Sequence, residues 1–165
     1  MRYAKIIKYD TGNWEGINTT IFFSGCHFKC EGCFNTVAQD FNYGNVFNDD
    51  TINDIIEKAS DSHVEGLCIL GGEPFDQDLD MMYTFLKEFK IRVGKPIHMW
   101  SGFLYEDLIS DKEKKRVLEL ADTLVDGQFK IDKKDLQLRF RGSSNQRVID
   151  VHESFNNNKV ILIEA

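Results

Sequence analysis

The chain has 165 residues, 42% of them hydrophobic, with 20 Lys and Arg against 27 Asp and Glu for a formal net charge of −7. That length suits one globular domain spanning 1–165 with a real core, and the acidic balance argues against a nucleic-acid partner, which selects for a basic footprint. No apolar run approaches the roughly 20 residues of a membrane span, and Met1-Arg2-Tyr3-Ala4-Lys5 is not followed by an apolar signal block. The expectation is therefore a soluble, cytoplasmic protein with no membrane partner.

In chain order, Tyr3 to Tyr9 is rich in β-prone residues and leads into a loop with Gly12, Trp14 and Gly16. Thr19-Thr20-Ile21-Phe22-Phe23 is a continuous β-branched and aromatic run ended by Ser24-Gly25, the pattern of a buried strand. Asn48-Asp49-Asp50-Thr51 offers caps for a helix with Ile52, Ile55, Ile56 and Ala59 on one face. Gly66 to Leu70 reads as a strand closed by Gly71-Gly72-Glu73-Pro74, and a second amphipathic helix runs from about Asp78 through Leu79, Met82, Leu86 and Phe89. Pro96 to Trp100 is the next strand, stopping at Ser101-Gly102, with helical pieces through Leu108 and through Val117, Leu118 and Ala121. Thr123-Leu124-Val125 ends at Asp126-Gly127. A polar loop, Arg141 to Arg147, then precedes Val148-Ile149 and a final apolar strand, Val160 to Ile163.

Strands alternating with helical patterns predict an α/β fold with a largely parallel sheet, in which ligands gather at the carboxyl ends of the strands. The stretch Cys26-His27-Phe28-Lys29-Cys30-Glu31-Gly32-Cys33 hangs from one such end and holds three of the four cysteines. Without a secretory signal, cysteines so closely spaced point to metal binding rather than to disulfides. Cys26, Cys30 and Cys33 can turn inward from one loop and ligate three irons of a [4Fe–4S] cube, leaving the fourth iron open to a small molecule. The bland alternative is a structural zinc site with His27, His63 or Cys68 as fourth ligand, although zinc sites normally arrive as two ligand pairs. Cys68 sits inside an apolar strand and reads as a buried small hydrophobe.

The three-cysteine loop with Gly71-Gly72-Glu73-Pro74 resembles the radical S-adenosylmethionine superfamily. Gly32-Cys33-Phe34-Asn35, Trp100 to Phe103, Val125 to Phe129 and Arg141 to Arg147 further resemble the family of anaerobic ribonucleoside-triphosphate reductase activating proteins. The likeness covers most of the chain. It implies a partial (β/α) barrel with outer helices, holding a [4Fe–4S] cluster and S-adenosyl-L-methionine. It also implies an activase in which a 5′-deoxyadenosyl radical takes a hydrogen from a glycine of the class III reductase and leaves a glycyl radical there. The implied partners are that reductase, in an assembly with a homodimer inside a heterotetramer, and a low-potential electron donor such as flavodoxin.

Within that likeness, Glu73 can accept from the cofactor's ammonium, and Gly71 and Gly72 can let backbone approach the ligand. Taken alone, the same motif is an ordinary strand-to-helix turn. Ser101 is either a turn residue or a neighbour of the cofactor carboxylate. Asp126 belongs to a turn or to a loop on the cofactor side, and Asn35 is a family-like position or a helix cap. Arg141 and Arg147 flank a possible anion nest and are candidates for the cofactor carboxylate or the partner. Other readings are an activator of the pyruvate formate-lyase type, a small-molecule radical enzyme, a zinc module, and an iron–sulfur electron carrier. The last normally binds a cube with four cysteines.

Overall fold

The structure, a computed structural model, describes residues 1–33 and 36–163. Seven strands form one sheet: β1 (Arg2–Asp10), β2 (Asn18–Ser24), β3 (Asn45–Val46), β4 (Gly66–Gly71), β5 (Ile97–Trp100), β6 (Thr123–Asp126) and β7 (Arg147–Asp150). Their order is β3-β1-β2-β4-β5-β6-β7. Five helices connect or follow them: α1 (Asp49–Ala59), α2 (Leu79–Arg92), α3 (Tyr105–Ser110), α4 (Lys112–Leu118) and α5 (Val151–Asn157).

The expected largely parallel sheet is corrected to a mixed one. β2, β4, β5 and β6 pair in parallel, while β1 and β3 on one side and β7 on the other pair antiparallel. The connections explain the difference. Only a short loop separates β1 from β2, too little chain for a parallel crossover, whereas helices carry the chain between the central strands.

β2 is buried along its whole length, as its unbroken run of β-branched and aromatic residues requires of a strand covered on both faces. Side chains alternate across the sheet. Ile21, Phe23, Leu67, Ile69, Ile97, Met99 and Leu124 face the helices and join Ile52, Ile55, Met82, Phe85 and Phe89 in the main core. The alternate residues Phe22, Cys68 and Leu70 form a second, smaller apolar cluster with Trp14 and Trp100 on the opposite face.

Helix ends follow the caps. Asn48 Oδ1 accepts from Thr51 N at 3.2 Å and Thr51 Oγ1 accepts from Asn48 N at 3.2 Å, closing a reciprocal box at α1. Asp78 accepts from Asp80 N and Met81 N to start α2. α5 was not expected, although Asp150 followed by Glu153 is a cap signal; Asp150 accepts from Glu153 N at 3.0 Å. The expected final strand, Val160 to Ile163, is reduced to one bridge between Leu162 and Ile149. Ile161 N donates to Ser154 Oγ of α5 at 2.9 Å, so this edge segment is held partly by the helix.

Adjacent residues on opposite faces of β4 give a test of the two-cluster arrangement. Ile69→Ala lowers the unfolding free energy by about 2–5 kcal/mol, and Cys68→Ala by only ~1 kcal/mol, as measured by denaturant titration. Equal losses would contradict the assignment of the main core to the helical face.

Candidate functional site

The cysteine loop begins where β2 ends and is anchored by backbone. Gly25 N donates to Ala38 O at 2.6 Å, and Gly25 O accepts from Glu73 N at 2.8 Å and from Gln77 Nε2 at 3.1 Å. The ends of β2 and β4 are thus pressed together. A Cβ on Gly71 would lie 2.2 Å from Phe23 O at φ +129°, and one on Gly72 would lie 2.4 Å from Gly25 O. The sequence reading gave these glycines the task of admitting a ligand; their nearest neighbours in the fold are the backbone of β2 and of the cysteine loop.

Across the loop, Phe28 packs on Gly102, where a Cβ would meet its ring at 2.7 Å, and stands edge-on to Phe103 with centroids 4.8 Å apart. Cys33 N donates to Cys30 O at 3.1 Å, and the Cys30 thiol lies 3.8 Å from Gln128 Oε1. Cys26, Cys30 and Cys33 are all free and partly buried. Burial pushes the Cys26 and Cys30 thiols above their ordinary value, against smaller opposing pulls from the backbone N–H groups of Phe28 and Lys29 at Cys26 and of Phe129 at Cys30.

Glu73 is 1% exposed. Its Oε2 accepts from Phe75 N at 3.0 Å and Ser101 Oγ at 2.8 Å, and its Oε1 from Gly102 N at 2.6 Å. Burial still pushes its pKa up to about 7 against those three donors. A carboxylate offers about four acceptor positions, so one remains. Ser101 is fixed in turn, its Oγ accepting from Phe103 N at 3.0 Å and its N donating to Val125 O at 2.9 Å.

These elements surround a cavity of about 500 Å³ that touches Cys26, Cys30 and Cys33 of the loop, Gly71, Gly72, Glu73, Ser101 and Arg141. Arg141 Nη1 donates to Gln146 O at 2.6 Å, while its Nε is buried without a partner among the described residues. Among those residues, no three His, Cys, Asp or Glu side chains converge on a point that one metal ion fits.

A family model described as a 4Fe-4S single cluster domain matches residues 13–149. The anaerobic ribonucleoside-triphosphate reductase-activating protein of Pasteurella multocida (strain Pm70) is 33% identical over 150 residues, 88% of this chain and 95% of its own. The protein of that name from Escherichia coli (strain K12) is 32% identical over 152 residues, 90% of this chain and 97% of its own. That from Enterobacteria phage T4 is 30% identical over 150 residues, 90% and 93% respectively. The chain belongs to the anaerobic ribonucleoside-triphosphate reductase-activating proteins.

Not every residue expected at the site of this family member reaches the cavity. Asp126 and Arg147 are partners of each other in the structure: Asp126 is fully buried and accepts from Arg147 Nε at 3.0 Å and Nη2 at 2.5 Å, and from Tyr105 N at 2.8 Å. Arg147 also reaches Glu106 with both terminal nitrogens, at 3.1 and 2.8 Å. The physical reason is register, since Asp126 and Arg147 face each other across the β6–β7 pair. Asn35 lies outside the described residues. No helix among the described residues is long and apolar enough to cross a membrane.

Several residues that shape the site carried no isolated sequence signal. Gln146 closes the loop after β6, its Oε1 accepting from Gly142 N at 2.8 Å and Ser143 N at 3.2 Å while its Nε2 donates to Gly127 O at 2.9 Å. Trp14 stacks between Phe140 and His98 at centroid distances of 4.1 and 4.5 Å, and Trp100 Nε1 donates to Phe140 O at 2.6 Å. His98, given no role from the sequence, is 7% exposed and lies 2.7 Å from Thr123 Oγ1 through Nδ1.

Burial pushes His98 down to about 4. A histidine held neutral loses its stabilising contribution as pH falls from its ordinary 6.5 toward 4. Glu73 acts in the opposite sense: its contribution is complete below the ordinary 4.5 and is lost as pH rises through about 7. The two slopes oppose each other between about pH 4.5 and pH 6.5, so these two contributions partly cancel there. His98→Gln leaves Glu73 unopposed, and thermal melts should then show the midpoint falling by roughly 5 °C between pH 5 and pH 7. A midpoint that stays level in the variant would contradict this pairing of slopes.

Proposed function

We propose that this protein activates an anaerobic ribonucleoside-triphosphate reductase as a radical S-adenosylmethionine enzyme, with a [4Fe–4S] cluster held by Cys26, Cys30 and Cys33 and the sheet acting as a partial (β/α) barrel. One observation carries the reading. Three free cysteines from an eight-residue loop share one cavity with Gly71, Gly72, Glu73 and Ser101, at the carboxyl ends of β2, β4 and β5. The relatives that span nearly the whole chain are named for activating that reductase, which supplies the target.

The residues fit both groups. Thiolates suit iron, and three of them leave one iron of a cube to a small-molecule ligand. For that ligand, Glu73 has one acceptor position left for an ammonium, and the guanidinium of Arg141, a residue lining the cavity, is a match for a carboxylate. Gly102 and Ser101 keep Glu73 in place, so it meets the ligand without first being ordered. Phe28, Trp100 and Phe140 line the cavity with apolar surface that excludes water. When bound, the cluster and S-adenosylmethionine supply one-electron bond cleavage, leading to hydrogen abstraction from a glycine of the reductase. The electron comes from a low-potential carrier such as flavodoxin, and the working assembly is a homodimer of this chain within a heterotetramer.

The test is electron paramagnetic resonance on anaerobically reconstituted, dithionite-reduced protein. A reduced-cluster signal that shifts on adding S-adenosylmethionine, followed by a glycyl radical on the reductase, is the expected result; a signal indifferent to the cofactor would overturn the reading. Alanine at Cys26, Cys30 or Cys33 should abolish that signal. Glu73→Ala should keep it and weaken cofactor affinity by about ten- to a hundredfold in calorimetry, the worth of one charge-assisted hydrogen bond; unchanged affinity would remove Glu73 from the site.

A further inference from the structure

The segment from Gly127 to Gln146 is an ordered body. Besides the Gln146 bonds, Lys130 N donates to Ser143 Oγ at 3.2 Å, Ser144 N to Lys133 O at 2.9 Å, and Asp135 N to Gly142 O at 3.2 Å. Its outer surface is basic, and it borders the cavity. Residues 130–141 carry Lys130, Lys133, Lys134, Arg139 and Arg141 against only Asp132 and Asp135, in a chain of net charge −7. Lys130, Lys133 and Lys134 are exposed, and none makes an ion pair among the described residues. Lys134 and Leu136 both line the cavity, and Leu136 is 88% exposed.

An exposed leucine beside unpaired cations at a cavity mouth offers an apolar contact and positive charge side by side. What fits is a polypeptide segment with an apolar side chain for Leu136 and carboxylates for the lysines. In a chain of net charge −7, cations at the mouth of the cavity favour the approach of such a segment there. We infer that the Lys130–Leu136 rim is the docking ledge for an acidic, apolar-bearing segment of the reductase, the segment that brings the target glycine to the cavity. This rests on the function proposed above. A glycine delivered into the cavity arrives on a chain that crosses its rim, and Leu136 and Lys134 are where the rim and the unpaired charge coincide.

The experiment measures binding of cluster-loaded protein to the intact anaerobic reductase by surface plasmon resonance. Wild-type affinity should weaken as salt rises from about 50 to about 300 mM. The charge-reversed Lys130→Glu/Lys133→Glu protein and, separately, Leu136→Asp should each bind at least about tenfold more weakly. Dithionite-driven cleavage of S-adenosylmethionine without reductase should be unchanged in the double lysine variant. Wild-type affinity in both variants would overturn the ledge while leaving the proposed function standing. Variants that keep reductase affinity but lose reduction by flavodoxin would reassign the surface to the electron donor and likewise overturn it. A wild-type protein with no affinity for the reductase would instead remove the proposed function, and the ledge with it.

Discussion

A buried carboxylate is the constraint on which the site depends. Glu73 leaves β4, yet two of its three donors come from Ser101 and Gly102 at the end of β5. Glu73 N in turn bonds the start of the cysteine loop through Gly25 O. One residue therefore joins the carboxyl ends of three neighbouring parallel strands. Because burial disfavours its ionised form, the arrangement holds only while all its donors stay in place. A cationic ligand in the cavity reverses that balance by favouring the carboxylate.

The sheet divides the labour between its faces. The helical face carries nearly all the large apolar residues and supplies the stability. The other face has only a small cluster and is closed by chain rather than by helices: Trp14 from the β1–β2 loop stacks on Phe140 from the loop after β6. A face covered by loops keeps a cavity where a face covered by helices would be filled. The cost is that its walls depend on local bonds, which is why Gln146 and Arg141 are spent on closing a loop rather than on contacting other elements.

Much of the site was legible in the sequence because short-range chemistry wrote it. The three cysteines lie within eight residues, and Gly71-Gly72-Glu73 are contiguous, so their proximity needs no knowledge of the fold. The helices α1 and α2 were equally visible, through caps and apolar periodicity. What could not be read was pairing. Thr123-Leu124-Val125 and Val148-Ile149 both look like strands, but nothing local says they run antiparallel with Asp126 opposite Arg147. A turn residue and a loop residue of the sequence reading therefore meet across a strand pair. Val160 to Ile163 fails for the related reason that strand propensity reports a surface that suits a sheet, not the presence of a free neighbour.

The same distinction separates the two arginines of one polar loop. Arg147 opens β7, where register delivers its guanidinium to Asp126 and Glu106, and all of its nitrogens are engaged. Arg141 precedes the strand by six residues, in a loop that folds on itself, and its bonds go to carbonyls of that loop with Nε left over. A buried guanidinium nitrogen without an acceptor is costly. Of the two, Arg147 has every guanidinium nitrogen engaged within the fold, whereas Arg141 keeps one without an acceptor. Register, which the sequence does not state, is what tied one of two similar residues to a carboxylate across the sheet.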